Sequence, residues 1–431
     1  MLKNMNNYIK SFLKTRMTKT IIIVLSLVLS LYLTGCNEQP TELGYKIDSV
    51  SFTAISSADN DLIAGTSAQR FYLSPFNAGI VQVGKFAEYS SYPILRYGNI
   101  DSLEGVELIS TTLHLIKSGY ALGDTNDIQS FEIFEVQQPI VPSSTYETIF
   151  KANGVDAVYK EVKMGQFEAP FNQLKDTTQI ELDNQLIQNW IDFSVLENSG
   201  QLDTNDIRRQ YSYSIGLKPT ENSKVINGFL SERLGNSGTK APSPFIKLVY
   251  KKPSSSINDT LIIRANIAAY YADGPIPDIN SLTVQSGVSL RSKIDFDLSE
   301  LPQFAAVVKA VLKVYVDDSR SVTGSLGRDS VILAQKDLTF DDDFFPDNNN
   351  IYLGIRNTGN NYFRFTSITS AVEDWVQDGT DKTGSLLLNY APNSNPGDTY
   401  FRLDKFYIYG ADADSSLRPE LTIFYAKRPE F

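Results

Sequence analysis

Short runs in which apolar and polar residues alternate dominate the chain beyond residue 48. In "TTLHLIKS" Leu113 and Leu115 fall on one face, and in "AVLKVYVDD" Leu312, Val314 and Val316 do the same. A period of two residues is the signature of a half-buried strand. "FIKLVYKK" (Phe245–Lys252) and "ELTIFYAK" (Glu420–Lys427) alternate likewise, and clusters of Gly, Asn, Asp, Ser and Pro separate the runs. Two stretches carry a helical period instead, Leu182–Phe193 and Ile368–Gly379, and each holds a tryptophan, Trp190 and Trp375. Many short strands with turn-rich joints predict an all-β chain. We expect two tandem jelly-roll-like β-sandwiches, each with one short helix.

The duplication is visible in the order of the pieces. "SLEGVELISTTLHLIKS" (Ser102–Ser118) parallels "ELPQFAAVVKAVLKVYVDDS" (Glu300–Ser319), the two tryptophan helices follow, and an alternating strand closes each half. The chain has two tryptophans, one at the same place in each half. "KKPSSSIND" (Lys251–Asp259) combines Pro, serines and charges between two strands and is the candidate linker. The expected division is a signal segment over 1–35, a tether over 36–48, a first sandwich over 49–252, a linker over 253–257 and a second sandwich over 258–427. Residues 136–175 show no clear period and are expected to be a long loop or small insertion.

The N-terminal pattern differs. Lys3, Lys10, Lys14, Arg16 and Lys19 precede the apolar run "IIIVLSLVLSLYLT" (Ile21–Thr34), with no acid among them. Fourteen residues are short of the ~20 that span a bilayer as a helix, so a cleaved signal fits better. The run ends in Leu33-Thr34-Gly35-Cys36, which resembles a bacterial lipobox. Cys36, the sole cysteine, is then the lipidated residue. The protein is expected at the cell envelope, lipid-anchored at the outer membrane, and Met17 is a second candidate start.

Composition removes chemistries. One cysteine excludes a disulfide framework, and one histidine, His114, excludes a histidine-cluster metal centre and argues against a histidine-based triad. Without residues 1–35 the chain has 34 Lys and Arg against 50 Asp and Glu, a net charge of −16. That balance opposes nucleic acid as a partner. No cofactor is expected.

"LRSKIDFDLSELP" (Leu290–Pro302), "VEDW" (Val372–Trp375), "LRPELTIFY" (Leu417–Tyr425) and, in the first half, "FLSERLG" (Phe229–Gly235) are similar to segments of the DNRLRE-type domain. That domain is a carbohydrate-binding-module-like β-sandwich of bacterial surfaces. The first half lacks its Arg-Pro closing signature, and the second has "FRLDKFYIYG" where its Ser-x-Glu element would fall. The resemblance implies a β-sandwich fold and extracellular or cell-wall glycan as ligand.

Individual residues compete with ordinary roles. Trp190 and Trp375 are candidate sugar platforms, but apolar neighbours at helical spacing put both in the core. His114 alternates with Leu113 and Leu115, so it should face solvent, at the position of Lys313 in the second half. Asp341–Asp343, Asp347 and Asn348–Asn350 supply calcium-type oxygens without the EF-hand pattern, and a solvated loop fits better. Asp295 with Asp297, and Glu373 with Asp374, are carboxylate pairs of the kind glycoside hydrolysis uses. Tyr270, Tyr271, Tyr407 and Tyr409 are candidate stacking surfaces, weighed against filling the sandwich core. No catalytic, metal or glycan-binding residue follows from this. The expectation is a non-catalytic surface protein that binds glycan, the alternatives being a scaffold or adhesin module among surface proteins and a glycan-active hydrolase or lyase.

Overall fold

The computed structural model describes residues 52–71, 79–98, 100, 103–231, 243–253, 255–275, 282–288, 290–303, 305–325, 331–342, 350–357, 359–377, 381–390 and 402–427. The expected signal segment, Cys36 and the tether lie outside them.

The protein is all-β, with antiparallel strands throughout and few helices. In chain order the first strands are β1 (Phe52–Ser56), β2 (Ile63–Arg70), β3 (Ile80–Phe86), β4 (Tyr89–Tyr97), β5 (Glu107–Leu122), β6 (Ile128–Val136), β7 (Tyr159–Pro170) and β8 (Thr177–Leu182). Helix α1 (Asn184–Asn198) follows, then β9 (Ser214–Pro219), β10 (Ile226–Leu230), β11 (Phe245–Lys251) and β12 (Asn258–Asp273). The remainder is β13 (Leu282–Gln285), β14 (Leu290–Asp297), β15 (Ala306–Tyr315), β16 (Val331–Lys336), β17 (Ile351–Ile355) and β18 (Tyr362–Phe365). Helix α2 (Thr369–Gln377) leads into β19 (Thr383–Tyr390), β20 (Lys405–Ile408) and β21 (Glu420–Ala426).

Two sandwiches result, and they match strand for strand. In the first, β11 lies between β5 and β12 while β8 flanks β5. In the second, β21 lies between β15 and β1 while β18 flanks β15. The facing layers run β12–β4–β9–β6–β7 and β2–β14–β19–β16–β17. β3 with β10, and β13 with β20, complete them. The likeness reaches single bonds. Ser91 Oγ donates to the Gln82 carbonyl at 2.7 Å and Ser292 Oγ to the Thr283 carbonyl at 2.8 Å, each nine residues back across β3–β4 or β13–β14.

Strand pairing does not follow the expected division. The candidate linker joins the two strands of one hairpin, because β11 and β12 pair from Phe245 opposite Arg264 to Lys251 opposite Asn258. β12 therefore belongs to the first sandwich, its later half pairing with β4. Conversely, β1 and β2 leave the first sandwich and pair with β21 and β14 of the second. Residues Phe52–Phe431 form one compact unit. Pro and serines suit a hairpin turn as well as a linker, which is why composition pointed to a boundary.

Each sandwich has its own core. Leu113, Leu115, Ile246 and Leu248 meet Trp190 in the first, and Leu312, Val314, Leu421 and Ile423 meet Trp375 in the second. Residues 136–175 are not a plain loop: β7 pairs with β6, and a π-helical turn at Glu147–Lys151 folds over the layer. Its Phe150 stacks 5.0 Å from Tyr92 and lies 5.6 Å from Tyr271. This cover buries the outer face as well, so the later half of β12 carries five consecutive buried residues, Ala268–Ala272.

Candidate functional site

Four strands of the first sandwich lie in the order β8–β5–β11–β12. Alternation sends Ile180, Leu113, Ile246 and Ile263 into the core, so their neighbours stand on the outer face. One line across the strands reads Gln179, His114, Phe245, Arg264, each directly opposite the next. The line beside it reads Glu181, Thr112, Lys247, Ile262.

His114 was expected on the solvent face at the position of Lys313, and the register supports both points. His114 lies opposite Phe245, the first residue of β11, and Lys313 opposite Glu420, the first of β21. Yet His114 is only 7% exposed, because its ring stacks on Phe245 with centroids 4.4 Å apart and planes 10° from parallel. Its Nε2 lies 3.0 Å from Thr112 Oγ1. Burial, and then the Lys247 charge, lower its pKa and favour the neutral ring. On the far side of Phe245, the Arg264 guanidinium lies 5.4 Å from the ring centroid. Both faces of the phenyl ring are thus covered, and the surface presents its edge between an imidazole and a guanidinium. Among the described residues neither Arg264 nor Lys247 makes an ion pair.

Next to Gln179 and Glu181 the sheet opens. β7 and β8 are tied by the Asp183 N–H to the Met164 carbonyl at 2.7 Å and then part. The groove between them measures about 430 Å³ and is lined by Lys163, Gly165, Gln166, Phe167, Gln179 and Glu181. A Cβ at Gly165 would come within 2.9 Å of the Glu181 carbonyl, so glycine lets the strands meet at the closed end. Lys163 Nζ donates to Glu132 at 3.1 Å and to Gln166 Oε1 at 2.7 Å. In the second sandwich β17 and β18 are paired there. The same register line in that sandwich is Arg364, Lys313, Glu420, and Lys313 is tied to Glu420 at 3.0 Å. One scaffold carries a stacked ring with unpaired cations and the other an ion pair.

The other candidate residues are dispersed. Trp190 and Trp375 are buried as expected, the first tilted against Tyr97 and the second stacked on Phe296. Tyr270 and Tyr271 are core residues at 0% and 1% exposure, so neither offers a stacking surface. Tyr407 has Arg320 3.7 Å above its ring, and Tyr409 is half-buried. Asp295 pairs with Lys293 at 3.0 Å, and Asp297, its pKa lowered by the Ser299 backbone amide, caps a turn. Glu373 accepts from Gln377 and Asp374 pairs with Lys336, both on the surface of α2. Asp342 accepts from the Thr339 amide and hydroxyl; Asp343, Asp347, Asn348 and Asn349 lie outside the described residues. Among the described residues no three acidic, His or Cys side chains gather as metal ligands.

Sequence reading missed the Phe245 line entirely. Its signal was present, since His114, Phe245 and Arg264 all sit on alternating strands, but nothing local says which strands are neighbours.

No family model matches the chain, and no curated protein does. Among solved structures, the chain is compared with the VP2 subviral particle of infectious bursal disease virus at 10% identity and a TM-score of 0.12, covering 89% of this chain and 78% of that one. A structure of the Gx strain of the same virus gives 12% identity, a TM-score of 0.13 and the same coverage. Manganese lipoxygenase of Gaeumannomyces graminis gives 9% identity and a TM-score of 0.10 over 77% of this chain and 85% of that one, likenesses too slight to carry an argument.

Proposed function

We propose that this is a non-catalytic, lipid-anchored protein of the cell envelope, held through Cys36, whose first sandwich binds extracellular or cell-wall glycan on the outer face of β8–β5–β11–β12. The observation that carries the reading is the line Gln179–His114–Phe245–Arg264 with Lys247 and Glu181 beside it. It gathers amide, guanidinium, ammonium and carboxylate groups on a shallow face beside a groove, a donor and acceptor set that suits sugar hydroxyls. The fold does not require that line, since the second sandwich stands with a different one. Hydrogen bonding, rather than stacking on tyrosines, does the recognising. A body this acidic favours neutral glycans over uronic-acid polymers.

A glycan array with residues 37–431, run beside the Arg264→Ala and Gln179→Ala variants, tests this. Binding by the parent that drops in both variants is expected. Equal binding by all three would refute the assigned face, and release of new reducing ends would refute the non-catalytic reading. A second reading, a scaffold in a surface assembly, is favoured by the exchange of strands between the sandwiches.

A further inference from the structure

The sandwiches hold each other's first element. β1–β2 precede the first sandwich in the chain and complete the second, while β12 precedes the second and completes the first. The two donor elements occupy equivalent places. β12 pairs with β11 through residues 258–264 and with β4 through 265–273; β1 pairs with β21, the counterpart of β11, and β2 with β14, the counterpart of β4. The bonds that seat β1–β2 are main-chain ladders plus a few side chains: Leu62 is fully buried in the second core, Ile55 and Ile63 pack on it, and Ser57 bonds Leu421 in both directions.

The donors also end side by side. Arg70, the last residue of β2, reaches Asp273, the last of β12, at 3.4 Å and the Ala272 carbonyl at 3.2 Å. The two strands leave their sheets at one point, so exchanged and unexchanged connectivities differ in which way the chain continues from there. Exchange of identical elements is a low-cost route to association between copies.

We infer that the edges of β14 and β21 form a strand-acceptor site, and that a second copy of this chain fills it with its own residues 52–70, linking copies by β-strand addition. The inference rests on strand pairing and is independent of the glycan face.

Two measurements test it on residues 37–431 carrying a specific protease site between Phe71 and Gly79. After cleavage, the body should stay folded with the 52–70 piece bound, and should take up a fluorescent 52–70 peptide at one per body. The uncleaved chain, its site filled, should take up none, and a Thr66→Pro peptide, which cannot donate opposite Ile294, should lose uptake. Uptake that is absent from the cleaved body, or equal in the uncleaved chain, would overturn the acceptor site. Because Cys36 lies outside this body, two differently tagged copies, one Ser67→Cys and one Lys293→Cys, can then be unfolded and refolded together; these residues are opposite in register. A disulfide joining the two tags is expected. Its absence, with the bond forming readily in a single chain that carries both cysteines, would overturn donation between copies.

Discussion

The indole of Trp375 shows how closely one residue's place is set by another's lack of a side chain. It stacks on Phe296 at 5.4 Å, donates from Nε1 to both Asp337 oxygens at 3.0 Å, and lies against Gly384, where a Cβ would stand 2.1 Å from the ring. Alanine at 384 cannot be accommodated without moving the helix or the strand. Overpacking of this kind costs about 1–3 kcal/mol or more, and truncating the indole about 3–5 kcal/mol. Urea unfolding of Gly384→Ala and Trp375→Ala should show losses of that order; near-native stability in Gly384→Ala would mean that the indole is not held there. Burial of both tryptophans was legible in the sequence because Leu186-Ile187 and Ala371-Val372 precede them at helical spacing. Gly384 was not, since its role depends on a residue nine positions back on a different element.

At the level of elements, periodicity located the alternating strands and both helices, while partnership escaped it. His114 could be placed on the outer face from Leu113 and Leu115 alone, but its stacking on Phe245 depends on a pairing of strands far apart in sequence. β12 misled in two ways. Its buried run Ala268–Ala272 has no alternation because the Glu147–Lys151 turn covers the second face, and the stretch just before it in sequence, 253–257, has linker composition. The strand pairing makes a direct prediction about fragments. Residues 79–275 hold β3 to β12, a whole first sandwich, whereas residues 37–252 hold β1 and β2 without their partners and lack β12. The former should give a single cooperative urea transition and the latter none; the reverse result would mean that the exchange is not part of the stable fold.

Across the whole molecule, the two sandwiches share a buried carboxylate. Asp404, 1% exposed, accepts from Tyr390 of its own half at 3.1 Å and from Tyr120 of the other at 3.3 Å, and the Leu403 amide donates to Tyr120 at 3.0 Å. Desolvation by burial raises the Asp404 pKa, outweighing the hydrogen bonds from Gly324 and the tyrosines that lower it. A carboxyl raised in the folded state gives stability that is complete below its unfolded value near 3.8 and is lost as pH rises through the folded value. Asp404→Asn, which has no charge to desolvate, should lack that segment of the pH–stability curve. Identical curves for the variant and the parent would show that Asp404 does not carry it.

The exchanged strands also decide where a pull would be felt. Were the chain held at Cys36, as proposed above, tension along it would arrive first at Phe52, in a strand hydrogen-bonded to β21, so the load would enter the sandwich that is farther along the sequence. The sandwich that bears the Phe245 line receives it later, beyond β2, where Arg70 meets Asp273. Drag on a polymer held at that line would then pass through both sandwiches in series, and the β1 and β2 ladders would bear it before the first sandwich is loaded.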